Sequence, residues 1–547
     1  MPVTHENHES GFTMIATILA MSLVMLLAVV AVAAVNGDTN QTRRDLDSKA
    51  AFEAAKAGID DYSYHLTANT GYWAKCTGVE EPNAVNQQGS TAKRRPVPGG
   101  TGATYAIELI PATGQSTCNP SSITTATASM IETGETLPGS FRIRSTGFAG
   151  KTKASIVATF KPPSFLDYVY FTQLETLDPV TYGYPNPSPE LTSAYAQCSK
   201  TWQEGRYEDP MWEYQVTNSS GKKETIKEYC IKISFANGDV LKGPVHTNDA
   251  IAVSGSPVFG RTSQDMIEVG AASPGYYSIG SANPSFIGTF VLNAPKLIPP
   301  ASNSQLSTIA QSTFRYTGQV RICLSGTSMT VGNKEGKCTG VYSGPIPSNG
   351  VIYVSNGTCN ESYSPFTAVY PEPSGCGNAY VKTESPYSGQ LTIAAQNDII
   401  INGNLAKASG SNGMLGLIAN NSVRIYHPFC AAASGTPTCT TTTAQTGAGD
   451  CNGGENGAGS TTSPDIDAAI LAIEHSFIVD HYDCGATLGT LNVEGAIAQK
   501  FRGPVSLGGS TGYKKNYVYD DRLHYQEPPS FIDPKPSNWV IGRETLG

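Results

Sequence analysis

The sequence predicts an α+β chain that is mainly β, with a long N-terminal helix, a small α/β head and a C-terminal right-handed β-helix or β-solenoid. Three observations predict it. Residues 12–35 run for 24 positions without a charge and lead into an amphipathic stripe. Alternating segments between residues 103 and 160 read as strands. From about residue 235 a weak aliphatic-x-aliphatic-x-Gly pattern recurs. Composition agrees: Gly 56 and Pro 35 among 547 residues, with 15% charged, describe a turn-rich chain with a weakly charged surface. With 27 Tyr and 17 Phe it holds too much apolar material for a disordered chain. A formal net charge of −9 gives it no large electrostatic reason to seek nucleic acid. Helical bundles, coiled coils and basic nucleic-acid binders are excluded on these grounds.

The first element is a polar leader, residues 1–11, with no Lys or Arg. A secretory signal starts basic and carries an apolar stretch of roughly 7–15 residues, so this segment fits one poorly. The apolar run spans ~36 Å as a helix at ~1.5 Å per residue, enough for a ~30 Å hydrocarbon core. A membrane partner through residues 12–35 is therefore expected. The helix continues to residue 66, with Phe52, Ala55, Ile59, Tyr62 and Leu66 spaced 3, 4, 3 and 4 along one face. Arg43 and Arg44 after the span would place the C-terminal side in the cytoplasm by the positive-inside rule. The cysteines below argue for the opposite side, and two arginines are the weaker evidence.

These residues resemble the type IV pilin family, specifically PilX-like minor pilins. The resemblance rests on a leader ending in Gly11, the start Phe12-Thr13-Met14-Ile15, the uncharged helix, and Lys49-Ala50-Ala51-Phe52-Glu53-Ala54-Ala55-Lys56-Ala57-Gly58. It covers roughly the first 66 residues closely and extends more weakly to about 165. It implies cleavage after Gly11 by a prepilin peptidase, N-methylation of Phe12, and packing of the helix among other pilin subunits in a filament. The chain departs from the family at the fifth mature position, where Ala16 stands in place of the usual glutamate. A subunit without that carboxylate suits a filament tip, where no neighbour stacks above it. The implied location is the cell membrane before assembly and the extracellular filament or cell surface afterwards. An uncleaved signal anchor is the alternative.

Residues 67–165 read as the head. Strands are expected over 103–110, 141–146 and 154–160, the last two joined by a hairpin turn at Gly147-Phe148-Ala149-Gly150. A helix followed by an antiparallel meander is also what the resemblance implies. Residues 166–234 form a connector with Cys198 and Cys230, too aromatic for a flexible tether.

Residues 235–547 carry the repeat. Segments ending in Gly255, Gly326, Gly403 and Gly495 share the pattern, and residues 351–354 form a related strand. IAAQNDIII (393–401) is echoed by LIANNSVRI (417–425) at an offset of 24, and Asn248-Asp249 precedes one copy much as Asn397-Asp398 precedes another. Short strands ended by Gly or Asn corners at such spacing are the signature of a β-solenoid. An ordinary β-sandwich is the alternative. Residues 428–465 read as a surface insertion, and 510–547 as a C-terminal cap, with a Tyr-rich binding patch as the other reading.

The twelve cysteines form no C-x-x-C, so a zinc knuckle is not indicated. In order they make six local pairs: Cys76 with Cys118, Cys198 with Cys230, Cys323 with Cys338, Cys359 with Cys376, Cys430 with Cys439 and Cys451 with Cys484. Cys430–Cys451 with Cys439–Cys484 fits the last four equally well. Local disulfides point to an oxidising compartment.

Catalytic signals fail inspection. Gly508-Gly509-Ser510-Thr511-Gly512 lacks the strand before and helix after that a nucleophile elbow needs. His5-Glu6-Asn7-His8 has the wrong spacing for a zincin, and Asp450-Cys451-Asn452-Gly453 lacks a calcium loop's final ligand. His481 and Cys484 read as a surface histidine beside a disulfide cysteine. No catalytic residue, metal or cofactor is expected. The leading function is a minor pilin or pseudopilin displaying its β domain for adhesion or assembly priming. The alternatives are a membrane-anchored enzyme or receptor acting on a glycan ligand through a β-helix cleft.

Overall fold

The computed structural model describes residues 12–69, 71–74, 94–99, 102–119, 121–132, 139–333, 338–359, 375–430, 455–457, 459–524, 526–535 and 540–546. The fold is α+β and mainly β. It divides into two compact units. The smaller takes residues 1–134, 138–162 and 538–547, and the larger takes 135–137 and 163–537.

The smaller unit begins with one helix, Phe12–Ala68, of 57 residues. Its second half is buried along Ala51, Ala54, Ala55, Ile59, Tyr62 and Leu66, with Phe52 half-buried. The helix packs on an antiparallel sheet in the order Arg95–Pro96, Thr104–Ile110, Phe141–Ala149, Thr152–Lys161, Val540–Leu546. Tyr62, Phe141 and Phe160 form an aromatic centre with ring centroids 5.3–6.2 Å apart. The short helix Ile123–Met130 carried no sequence expectation. Ser122 caps it, accepting from Thr125 N while Thr125 Oγ1 accepts from Ser122 N.

Two expectations are corrected here. The hairpin turn lies at Gly150-Lys151, and Gly147 sits inside the strand Phe141–Ala149. A Cβ on Gly147 would overlap the Ala51 carbonyl oxygen and stand 2.5 Å from Ala55 N. That glycine permits close helix–sheet approach and makes no turn. The terminal residues 540–546 are not a cap on the repeat. They form the edge strand beside Thr152–Lys161, so the larger unit is inserted between two neighbouring strands of the smaller one.

The larger unit is built on parallel ladders. Among the described residues one 14-stranded sheet has a main run of ten strands, Ser285–Phe286, Val258–Phe259, Val240–Lys242, Gly512–Tyr519, Thr487–Phe501, Asp465–Ala472, Met414–Ala419, Gln390–Ala395, Val351–Ser355, Arg315–Thr317, with four further strands off this path. Every neighbour in that run is parallel. A second ladder pairs Val320–Gly326, Ala379–Tyr387, Ile399–Ile401, Val423–Ile425 and Phe477–Val479, again parallel. The register follows the repeat: Ile393 pairs Leu417 and Ile399 pairs Val423, both at an offset of 24. Antiparallel sandwiches do not pair this way. The aliphatics of both ladders fill one continuous core.

The order of layers was not legible in the sequence. The connector joins the stack, because Tyr170–Leu174 pairs both Val245–Thr247 and the second half of Thr487–Phe501. From there the chain runs to one end at Ser285–Phe286, crosses to the other end at Arg315–Thr317, and returns layer by layer. Gly512–Tyr519, expected in the cap, is an interior strand between Thr487–Phe501 and Val240–Lys242. The stack therefore closes in its middle.

Candidate functional site

The first candidate is the open half of the long helix. Residues 14–30 are exposed throughout, including Met14, Ile18, Leu19, Met25 and Val29 at 59–74%. Ala16 lies in this exposed stretch, Phe12 starts the helix, and Gly11 lies outside the described residues. Among the described residues no helix is long and apolar enough to cross a membrane. The expected span over residues 12–35 includes residues 12–13 and 31–35, whose side chains lie outside the described residues. Further along, Gly58 and Gly147 set the grip on the sheet. A Cβ on Gly58 would overlap Ser145 Oγ and lie 2.8 Å from Tyr105 Cδ2. The small-residue stretch 51–58 thus has a packing cause.

The second candidate is a charged cleft on the larger unit, around Asp467, Glu494 and Asp520. Asp467 and Glu494 are register partners on adjacent strands. Lys407 N donates to Asp467 at 2.7 Å, and Lys407 Nζ stands 3.5 Å from Glu494 and 3.9 Å from Asp520. Burial raises the Asp467 carboxyl, with Glu494 adding and the Lys407 contacts opposing. At Asp520 burial pulls upward too, but Arg522, 2.6 Å away, outweighs it and the carboxyl is lowered. Two carboxylates pushed apart in this way can serve as acid and base. The cleft they line holds about 10 Å³, roughly one water. A second cleft, lined by Thr201, Glu204, Asn248 and Lys296, holds about 130 Å³, below the ~300 Å³ of ordinary ligand pockets.

Beneath the surface the Asn-Asp echo acquires a chemical meaning. Asp249 pairs with Arg206, both fully buried. Asp398 pairs with Arg424 at 2.9 Å, and Arg424 Nε reaches Asp480 at 2.7 Å. Asn397 donates to Asn378 and accepts from Asn421, a ladder down the stack. Arg502, Glu175 and Thr172 form a third buried group, with Arg502 Nη1 2.8 Å from Glu175 and its guanidinium over the Phe235 ring. Sequence reasoning missed these arginines, since only folding brings Arg206 to Asp249 and Arg502 to Glu175.

Disulfides join Cys198 to Cys230, Cys323 to Cys338 and Cys359 to Cys376. Cys118 and Cys484 are also disulfide-bonded. Cys76, Cys439 and Cys451 lie outside the described residues, as does the side chain of Cys430. Cys323, Cys338 and Glu384 cluster, but the two sulfurs are bonded to each other. Gly508–Gly512 form a turn followed by a strand, without the helix of a nucleophile elbow. His481, expected at the surface, is buried at 3% exposure beside Cys484, whose N–H donates to its carbonyl. His5, His8 and residues 450–453 lie outside the described residues.

No family model matches the chain, and no curated protein matches it. Among solved structures, the competence-associated pilin ComZ from Thermus thermophilus aligns over 92% of this chain and 97% of its own, at 12% identity and a TM-score of 0.26. A likeness at that level carries no argument.

Proposed function

We propose that the chain is a structural subunit of a type IV pilus or pseudopilus, a minor pilin that presents its larger unit as a right-handed β-solenoid for adhesion or assembly priming. The observation that carries this reading is the two-part helix Phe12–Ala68. Its second half is buried on an antiparallel sheet through Ala and Gly, while residues 14–30 leave an uncharged, mostly apolar surface open to water. Such a surface needs a cover, and helices of neighbouring pilin subunits would supply one. Before assembly the membrane would. The leader is cut after Gly11 by a prepilin peptidase, Phe12 is methylated, and Ala16 fits a tip position. The disulfides fit an oxidising, extracytoplasmic location. The parallel ladders at a 24-residue offset support the solenoid reading.

The test is the mass and N-terminal sequence of protein recovered from cells with and without the prepilin peptidase. The expected result is a peptidase-dependent, methylated start at Phe12. A start at Met1 in both strains overturns the reading. A glycan-active enzyme is the second reading, favoured by Asp467 beside Glu494. It requires glycan turnover that Asp467→Asn abolishes.

A further inference from the structure

Among the described residues Trp212–Thr217 and Lys223–Glu228 pair only with each other, as a two-stranded antiparallel hairpin. Such a hairpin is marginally stable in water on its own. Its base is held: the Cys198–Cys230 disulfide, Met211 and Trp212 belong to a small local core. Beyond the base nearly every residue is exposed.

The register sorts the chemistry by face, because alternate residues of a strand point to opposite sides. Glu213 and Thr217 share one face with Lys227 and Lys223, where Lys227 and Glu213 neutralise each other at 2.8 Å. Trp212, Tyr214 and Val216 share the other with Glu228, Ile226 and Glu224. On this face Tyr214 is 44% and Val216 37% exposed. Glu224 accepts from Asn218 and Glu228 from Tyr214, and neither forms an ion pair among the described residues. Tyr184 meets Trp212 edge-on at 5.0 Å. Burial raises the Tyr184 hydroxyl, and Glu228, Tyr214 and Glu190 raise it further, which agrees with carboxylates standing next to the aromatic surface. Ring faces and unpaired carboxylates both attract cations. A neutral sugar would stack on the rings and donate hydroxyls to the carboxylates, but only a cation adds a charge–charge attraction.

We propose that this face docks an extended lysine- or arginine-bearing segment of a partner protein, its aliphatic stems on Tyr214 and Val216 and its cations at Glu224 and Glu228. Among the described residues both outer edges of the hairpin are unpaired, so the segment can add as a third strand. The proposal does not depend on the filament reading.

The experiment is fluorescence anisotropy on the full chain in detergent. The probe is a fluorescein-labelled (Lys-Val)4 peptide, with (Glu-Val)4 and chitohexaose as comparators. Expected are saturable binding of the lysine peptide that weakens with salt, at least a tenfold loss in Glu224→Gln/Glu228→Gln, and no change in Lys223→Gln on the opposite face. Val216→Arg places a competing cation on the face and also abolishes binding. The substitutions are on the surface, and unchanged thermal melts exclude misfolding. No binding of the lysine peptide, equal binding by the double variant, or displacement by chitohexaose would each overturn the proposal.

Discussion

At the scale of single residues the larger unit depends on charges placed where water cannot reach. Arg424 is 2% exposed and holds two buried carboxylates, Asp398 and Asp480. Removing a buried partner leaves an uncompensated charge, which costs about 3–5 kcal/mol. Arg424→Ala is expected to lose that much in urea denaturation, whereas Arg424→Met with Asp398→Asn and Asp480→Asn loses far less. His475 gives a pH signature. Its Nδ1 lies 2.7 Å from Asp178, which also accepts from Val180 N and the Tyr195 hydroxyl. Burial lowers the imidazole, but Asp178, aided by Asp398 and Glu474, outweighs it, and the folded value lies above 6.5. The pair's stabilisation is therefore complete below pH 6.5 and lost as pH rises through the folded value. Thermal melts are expected to show that decline in the wild type, and His475→Gln to flatten it.

At the scale of elements, the smaller unit owes its sheet to both ends of the chain. Val540–Leu546 pairs Thr152–Lys161 across the whole inserted unit. Leu546 is 80% and Ile541 39% exposed, so these two side chains bury little, and the strand's described contribution is its ladder hydrogen bonds. Ending the chain after residue 537 is expected to lower the smaller unit's stability by about 1–3 kcal/mol. It also leaves Thr152–Lys161 as a bare edge, open to pairing with other chains. Hydrogen exchange checks this: protection falls in 152–161 and is unchanged in 391–425.

At the scale of the molecule, the closed stack makes the larger unit a fold of its own. Its first strand, Tyr170–Leu174, and its last, Gly512–Tyr519, both pair with Thr487–Phe501. Residues 163–537 expressed alone are expected to unfold cooperatively and resist proteolysis. Deleting 512–519 parts Val240–Lys242 from Thr487–Phe501 in the middle of the stack and abolishes that cooperativity. Stacked layers are stabilised by their neighbours, so a gap in the interior costs two interfaces where a lost end layer costs one.

The sequence by itself determined what depends on neighbours along the chain. The uncharged run, the buried stripe through Ala55, Ile59, Tyr62 and Leu66, and the 24-residue offset all follow from helical or layer periodicity, which composition records locally. The pairs Cys198–Cys230, Cys323–Cys338 and Cys359–Cys376 bridge short loops and lie next to each other in the sequence order of cysteines. Only the tertiary structure decided the rest. Gly147 reads as a turn until a helix about ninety residues earlier lies against it. Residues 512–519 and 540–546 read as one terminal cap until one joins a ladder and the other crosses to a different sheet. The sorting of Glu224 and Glu228 onto one hairpin face depends on a register that the turn fixes. Periodicity specifies which face of an element is buried; which distant element covers it is settled by shape and charge complementarity, and a linear sequence does not state that.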